Sequence, residues 1–572
     1  MTRTSVDHNI PTTLYENLFA EDPLGEKLFA YWLGTAFPHV RGHFETMGAS
    51  GAAATPFSQE ADRLSPKLVP PQSKSDPYKI DFHESYEELK KLSYGKNIIG
   101  LKFDPQFLAR HKAIRHTAGF GAGYYFAQTE TGLYCPICMT DALARVLEMH
   151  GRDEMTQTTL AHLTTSNLKD LWEGAMFLTE REGGSDVGVN SVQAEKIENK
   201  WFLSGHKWFC SNAGAKAILA LARMPGADGA PDKGTRGLGL FLILPDINPD
   251  IRKTMEYHKL KDKLGVRSMA SAEITLHQTP AFLLGGAGEG FKMMADMVNM
   301  SRLYNAVASI GVAKRAILEA CAYGTFRKAF GKTLRNTPLW RSEMADLIAE
   351  HLGLMFLVFE SSRTLDKSDL RDAEASSLVR ILTPLAKGSS AKFAVWACSE
   401  SMELVGGNGY IEEDTVMPRL LRDAQVLPIW EGTTNIQSLD VLRAAAKEGV
   451  GAFEKRIAIA LQKAGAAVSP ELMSSLKAHI GAFQKEIAHF GSASPETKER
   501  MARVLLEKMS RIFSMCMMAE SCTDSGLQDV CQAALNRLLK RPAPTSPLGM
   551  LVDSDSIQGE DVLLNSIFAQ KP

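Results

Sequence analysis

The segment SRLYNAVASIGVAKRAILEACAYGTFRKAFG (Ser301–Gly331) carries apolar residues at helical spacing almost without a break. A run of this length predicts a long helix whose apolar surface has to be covered by partners of similar length, as in a helical bundle. Helical patterns continue from Gly290 to about Ala446. The preceding stretch, residues 173 to 288, has a different character. It holds short β-type runs, KWFLSG, KWFCSNAG, GLGLFLILP and AEITLH, separated by Gly, Asn and Asp. These predict a mainly antiparallel β-domain.

The flanks complete the order. Residues 76–172 show helical spacing again, as in SYEELKKLSYG and TDALARVLEMHG. Residues 1–75 read as an extension, with some helical pattern from Leu14 to Gly34. The Gly/Ala/Pro-rich stretch Gly48–Gln59, with Pro70-Pro71 beyond it, reads as a surface loop. Residues 447–572 form another helical block rich in Ala, Leu, Met and Lys. The expectation is a mainly helical α+β chain: an N-terminal helical domain (76–172), a middle β-domain (173–288), a helical bundle (289–446) and an added C-terminal helical domain (447–572). A length of 572 residues suits three to four such units.

Charge narrows the partners. The net charge is -2, so nothing global points to nucleic acid or to an anionic membrane. Eight cysteines in so long a chain make no disulfide framework and suit a reducing compartment. The first residues have neither an apolar core of signal-peptide length nor the Arg-rich look of a transit peptide. No window holds the roughly 18 uninterrupted apolar residues of a membrane span. A cytoplasmic protein is expected.

Five segments could carry chemistry. In RLLRDAQVLPIWEGTTNIQ (Arg419–Gln437), Glu431 stands beside Gly432 and small hydrogen-bonding residues. A carboxylate in a mostly apolar neighbourhood can have its pKa raised until it serves as a base toward a carbon acid. Read alone, Glu431 is better taken as a helix start, with its charge at the positive end of the dipole. In MFLTEREGGSDVG (Met176–Gly188) a strand runs into Gly183-Gly184-Ser185, a turn that can bring backbone N–H groups close to a ligand. In LSGHKWFCSNAG (Leu203–Gly214), Phe209 and Ser211 share one side of a strand and could pack and hydrogen-bond a ring. In TFRKAFGKTL (Thr325–Leu334), Arg327 beside Phe330-Gly331 could clamp a pyrophosphate. In ELVGGNGYIEEDTV (Glu403–Val416), Gly406-Gly407 marks a helix stop and tight turn, and Glu412 and Glu413 read as solvated charge. Each segment read alone is better explained as an ordinary turn, strand or helix end.

Together and in this order, TEREGGSDVG, GHKWFCSNAG, RKAFGK, GGNGY and RDAQ…WEGTTNIQ resemble the acyl-CoA dehydrogenase family over about residues 80–445. YCPICMTDA (Tyr134–Ala142) and KLKDKLGVRSMASAEI (Lys259–Ile274) look like its AidB-like branch, whose members add a C-terminal helical domain. The resemblance implies FAD as cofactor and oxidation of an acyl-CoA thioester to the 2-enoyl-CoA. Glu431 matches the base that removes the α-proton, and the backbone N–H at that position helps polarise the thioester carbonyl. Met176, Leu178, Thr179, Gly184 and Ser185 lie on the flavin-lining segment. Phe209 and Ser211 take positions often held by Trp and Thr against the ring. Arg327 and Phe330 match residues that hold the FAD of a neighbouring subunit, and Gly406 and Gly407 match its adenine side. Thr433 and Asn435 match further FAD contacts. Ser185, Arg302, Glu431 and Gly432 match positions at the acyl-CoA site.

Some relatives carry the base on the helix containing Arg302. Here that helix reads VNMSRLYN, without a carboxylate, which leaves Glu431. The resemblance further implies a homodimer or homotetramer and an electron acceptor such as an electron-transfer flavoprotein. Two alternatives stay open: an acyl-CoA sensor with little turnover, and a flavoprotein binding double-stranded DNA through its C-terminal domain. Residues 451–572 hold 14 basic against 13 acidic residues, so DNA binding would need a folded stripe such as Arg500, Arg503 and Arg511. Cys135 and Cys138 form a single CxxC, too few ligands for a structural zinc site, and are expected to be ordinary buried cysteines. His206 is expected to be a strand residue.

Overall fold

The computed structural model describes residues 15–73, 76–226, 232–286, 288–542 and 554–567. In chain order it begins with α1 (Pro23–Leu33), α2 (Phe37–Ala53) and α3 (Thr55–Arg63). Next come a small hairpin, β1 (Lys67–Val69) and β2 (Lys79–Asp81), then α4 (Glu84–Ser93), α5 (Pro105–His111), α6 (Arg115–Ala127), α7 (Tyr134–His150) and α8 (Glu154–Thr164). The β-rich stretch holds β3 (Gly174–Phe177), β4 (Gln193–Ile197), β5 (Lys200–Ser211), β6 (Ala217–Arg223) and β7 (Leu238–Ile243). It closes with a short α9 (Pro249–Lys253), β8 (Met255–Leu260) and β9 (Ser271–Leu284). Then come α10 (Gly290–Phe326), a hairpin β10 (Lys328–Ala329) and β11 (Lys332–Thr333), α11 (Pro338–Asp369), α12 (Ala373–Val405), α13 (Met417–Ala424) and α14 (Thr434–Glu448). The tail adds α15 (Gly451–Ala464), α16 (Pro470–Gly491), α17 (Pro495–Ser521), α18 (Gln528–Lys540) and α19 (Ser554–Ile567).

The chain divides into two compact units. One comprises Met1–Ala53, Pro105–Thr129 and Asn305–Pro572, and the other Ala54–Asp104 and Glu130–Tyr304. The second unit is built on the β-rich stretch. Strands β6, β4, β5, β9 and β7 pair in turn, and β7 pairs back to β6, so this sheet closes on itself and leaves few edges exposed. β3 joins alongside β6 in parallel and β8 joins β9 antiparallel. The antiparallel expectation therefore holds except at β3–β6 and one β4–β6 pair. The enclosed core is apolar, with Phe177, Leu203, Cys210, Phe241 and Ile274 fully buried.

The first unit is helical. Its core is an aromatic cluster in which Phe29 meets Phe359 edge-on at 4.9 Å and Trp32 stacks on Phe359 at 4.8 Å. Such pairs add packing energy beyond simple burial. The side chain of Asp22 caps α1 by accepting from the Gly25 N–H and also takes the Lys314 ammonium at 3.0 Å. The helices after residue 447 close over α11 through buried ion pairs. Arg537 reaches Asp346 at 2.6 Å and Glu560 at 3.0 Å, and Arg541 reaches Asp346 at 2.8 Å.

Gly48–Gln59, expected as a surface loop, is helical, lying in α2 and α3. Composition misleads there because the glycines serve close packing rather than turning. Gly48 and Gly51 are buried, and a Cβ on Gly51 would meet the Tyr125 carbonyl oxygen at 2.5 Å. Gly42, on the same helix, faces open space. Gly51→Val should therefore destabilise this unit by about 1–3 kcal/mol through overpacking. Gly42→Ala should raise stability by up to about 1 kcal/mol through helix propensity. Thermal unfolding of the two variants beside the parent checks this, and similar midpoints for both would refute the packing argument.

Candidate active-site segments

In the β-containing unit, β3 delivers Met176 and then runs into the turn after Thr179. The Thr179 carbonyl accepts the Trp208 N–H at 2.9 Å, and the Leu178 carbonyl accepts from Asn190 Nδ2 at 2.9 Å. Backbone bonds between Glu180 and Gly183 run in both directions, at 3.0 and 3.3 Å, and close the turn. Met176, Leu178 and Thr179 are half-buried, while Gly184 and Ser185 are exposed. On β5, Phe209 is 51% exposed and Ser211 is half-buried on the same side, with Cys210 between them facing the core. The Ser211 hydroxyl lies 3.1 Å from that of Ser271. The Lys261 ammonium sits 4.6 Å from the Phe209 ring centre while bonded to Glu273 at 2.8 Å. Arg302, on α10, bonds Asn299 at 3.3 Å.

The turn after Thr179 is held by a pair invisible to the motif reading. Glu180 and Lys207 are both buried, with Lys207 Nζ 2.6 Å from Glu180 Oε1 and 2.8 Å from the Leu221 carbonyl. The other carboxylate oxygen of Glu180 accepts from the Ser191 hydroxyl and the Val192 N–H. Burial lowers the Lys207 pKa, outweighing the stabilising charge of Glu180. The only sequence signal was a lysine at an inward position of an alternating strand.

In the helical unit, Glu431 lies in a turn before α14, not in the helix. Its φ is +57°, a left-handed conformation that non-glycine residues rarely adopt, and Gly432 follows at +95°. Two side chains hold this turn. Gln437 Nε2 donates to the carbonyls of Glu431 (2.9 Å) and Gly432 (3.1 Å), and the buried Lys387 donates to Gly432 at 2.6 Å. Asn305 on α10 donates to Leu427 just upstream. The indole N–H of Trp430 is buried without a hydrogen-bond partner among the described residues. Thr433 and Asn435 are exposed at the start of α14. A strained residue held by several independent bonds is a recurrent feature of functional sites.

Arg327 and Phe330 do not form a simple helix end. α10 stops at Phe326, and β10–β11 is a two-residue hairpin whose central Phe330 and Gly331 have φ of +50° and +78°, as a type I′ turn requires. Phe330 is fully exposed and Arg327 is exposed. Gly406 ends α12 at φ +78°, and neither it nor Gly407 has any neighbour within reach of an added Cβ. Glu412 is exposed and pairs with Arg422 at 3.0 Å. On α7, Cys138 is buried as expected but Cys135 is only half-buried, neither is in a disulfide, and among the described residues no cluster of three His, Cys, Asp or Glu could hold a metal. His206 is a half-buried residue of β5, its Nδ1 3.2 Å from the Thr275 hydroxyl.

Arg511 is not available to a basic stripe. It is largely buried, bonded to Glu350 at 3.0 Å and to the carbonyls of Leu538 and Arg541. Arg500 pairs with Glu496 at 2.7 Å, and Arg503 lies 3.6 Å from Glu507.

Comparison with known proteins agrees along the chain. Residues 10–168 match the AidB N-terminal domain, 175–279 the acyl-CoA dehydrogenase middle domain and 288–446 the acyl-CoA dehydrogenase C-terminal domain. Acyl-CoA dehydrogenase family member 11 of Caenorhabditis elegans is 32% identical over 459 residues, which cover 77% of this chain and 73% of that protein. The putative acyl-CoA dehydrogenase AidB of Escherichia coli K12 is 35% identical over 337 residues, covering 56% of this chain and 59% of AidB. Among solved structures, C. elegans ACDH-11 in complex with C11-CoA superimposes with a TM-score of 0.86 at 26% identity, covering 95% of this chain and 94% of that one. The apo-form of Bd2924 gives 0.80 at 30% identity, covering 90% and 99%.

The Glu180–Lys207 pair yields a direct test. Lys207→Met leaves a buried carboxylate without its ammonium and should cost about 3–5 kcal/mol. Adding Glu180→Gln should recover most of that loss. Chemical denaturation of the single and double variants measures both, and a double variant no better than the single would show that the pair does not hold this turn.

Proposed function

The chain belongs to the acyl-CoA dehydrogenase family, and we propose that it oxidises an acyl-CoA thioester to the 2-enoyl-CoA with Glu431 as base. The observation that carries this reading is the Glu431 turn: a left-handed carboxylate residue held from two helices, beside the buried N–H of a half-buried indole. Such bracing fixes the direction of the side chain, which proton abstraction from carbon requires. The ACDH-11 complex supports an acyl-CoA thioester as the ligand class.

FAD is the cofactor of this proposal, and when bound it supplies the acceptor for the hydride leaving the β-carbon. The residues suit a flat ring and its phosphates. Phe209 offers an aromatic face half open to solvent, Ser211 a hydroxyl beside it, and Gly184-Ser185 an exposed turn. With Met176, Leu178, Thr179, Thr433 and Asn435, these residues would hold the cofactor of their own chain. Arg327, Phe330, Gly406 and Gly407 would hold that of a second copy. A fully exposed Phe330 on a rigid hairpin and two glycines facing open space support that assignment.

In the proposed reaction Arg302, Ser185 and Gly432 are the residues that would position the thioester, and the N–H at Glu431 would polarise its carbonyl. The α-proton passes to the Glu431 carboxylate as negative charge develops on the carbonyl oxygen. Transfer of the β-hydride to bound FAD would complete the Cα–Cβ double bond, and an electron-transfer flavoprotein is the class of acceptor that would take the two electrons afterwards. No described helix is long and apolar enough to cross a membrane; a cytoplasmic location is part of the proposal.

Anaerobic mixing of the FAD-loaded protein with acyl-CoA chains of graded length should bleach the flavin. Glu431→Gln should still bind acyl-CoA but bleach about 10²–10⁴-fold more slowly, the contribution usual for a positioned base. Bound but unbleached flavin with every chain would replace the enzyme by an acyl-CoA sensor. Separately, Phe330→Ala should reduce FAD retention while leaving the thermal midpoint of the FAD-free chain unchanged, because the ring is fully exposed. Unchanged FAD retention would remove Phe330 from the cofactor site.

A further inference from the structure

Ser211 and Ser271 stand directly opposite each other where β5 pairs with β9, and their hydroxyl oxygens lie 3.1 Å apart. A hydroxyl pair across two strands can bond in either direction. Here a third group sets the direction. Lys263, in the loop between β8 and β9, reaches back across that loop. Its ammonium donates to the Met269 carbonyl at 2.5 Å and to the Ser271 hydroxyl at 3.2 Å. An ammonium has only protons to give, so the Ser271 oxygen must accept from it.

Ser271 is 3% exposed, which leaves its hydroxyl little access to water. Among the described residues its side-chain partners are Lys263 and Ser211. If Ser211 donated to Ser271, the Ser271 proton would be left buried without an acceptor, an arrangement that proteins avoid because the lost hydration is not replaced. The pattern that bonds every proton therefore runs one way, from Lys263 to Ser271 and from Ser271 to Ser211. Ser211 then accepts from Ser271 and keeps its own proton to give. It is half-buried and lies on the side of β5 that carries the exposed Phe209 ring. A hydroxyl at the end of a chain that begins on a cation is a stronger donor than an isolated one, because each bond polarises the next.

We propose that Lys263 and Ser271 are positioning residues of the flavin site, fixing Ser211 as a polarised hydrogen-bond donor to the ring and so favouring its reduced form. This rests on the reading of Ser211 as a residue that faces FAD. The ring becomes richer in electrons as it takes up hydride, so a donor aimed at it holds the reduced form more tightly than the oxidised one. The full-length, FAD-saturated chain, without acyl-CoA, is reduced stepwise in equilibrium with a dye of known potential. At a fixed potential, Ser211→Ala should lower the ratio of reduced to oxidised flavin about tenfold, the worth of one hydrogen bond. Ser271→Ala and Lys263→Met should each reproduce most of that fall, and the double variant should fall no further than either alone. Ser271→Ala leaves the bond from Lys263 to Met269 in place, so it carries the test if Lys263→Met loosens the loop. A parent-like ratio in Ser271→Ala, or effects that multiply in the double variant, would overturn the relay while leaving Ser211 at the ring. A parent-like ratio in Ser211→Ala would instead remove Ser211 from the ring, and the relay with it.

Discussion

A lysine ammonium sealed inside a protein must find oxygen, and the architecture of this chain turns on that requirement. Four lysines are buried among the described residues: Lys102, Lys207, Lys314 and Lys387. Lys207 holds Glu180 beneath the turn after Thr179, and Lys387 holds the carbonyl of Gly432 beside the proposed base. Lys314 reaches the Asp22 cap of the first helix, and Lys102 reaches Asp141 and the Tyr304 hydroxyl. Each joins segments far apart in sequence within one unit. Each is also a place where removing one partner costs far more than the pair adds over an apolar substitute. These contacts therefore act chiefly as constraints of position, and two of them lie under the segments proposed to do chemistry.

The Glu431 turn shows why position is worth a local cost. A left-handed non-glycine residue is disfavoured by about 1–2 kcal/mol, and a buried indole N–H without a partner adds to that. Neither helps folding. Both are sustained by Gln437 and Lys387, which meet the two carbonyls of the turn from α14 and α12. The Arg380–Asp440 pair, at 2.6 and 2.9 Å, ties the same two helices together. The carboxylate is thus carried on a backbone held from both sides, which a surface helix start would not provide.

Periodicity in the sequence revealed the large elements because burial imposes it directly. The run Ser301–Gly331 lies mostly in α10, whereas KWFLSG and KWFCSNAG, read as two short runs, join through Gly205 into the single strand β5. Motif order revealed where the candidate site residues sit in the chain. What stayed hidden has a common cause: its meaning lies in a partner distant in sequence. Gly48 and Gly51 looked like loop residues because nothing local shows that Phe19 and Tyr125 press against them. Lys207 and Lys387 carry no local signal of their role, because their partners Glu180 and Gly432 lie 27 and 45 residues along the chain. Phe330 looked like part of a helix end because the neighbouring Gly331, which lets the hairpin turn, reads equally well as a helix stop.

The same logic bears on the added helices. Their net charge of about one unit left room for a basic stripe, but the fold decides how the arginines are used. Arg511, Arg537 and Arg541 point inward onto Asp346 and Glu350 of α11, so three guanidinium groups that could have met phosphate are committed to carboxylates. Planar guanidinium forks bond in fixed directions, so a network of them sets the angle and register at which α17 and α18 lie on α11 more strictly than leucines would. α16 and α17 keep exposed charges, but Arg500, Arg503 and Lys508 each have a glutamate neighbour within 4 Å. The electrostatics of this block therefore suit a cover for the bundle better than a surface for polyanions.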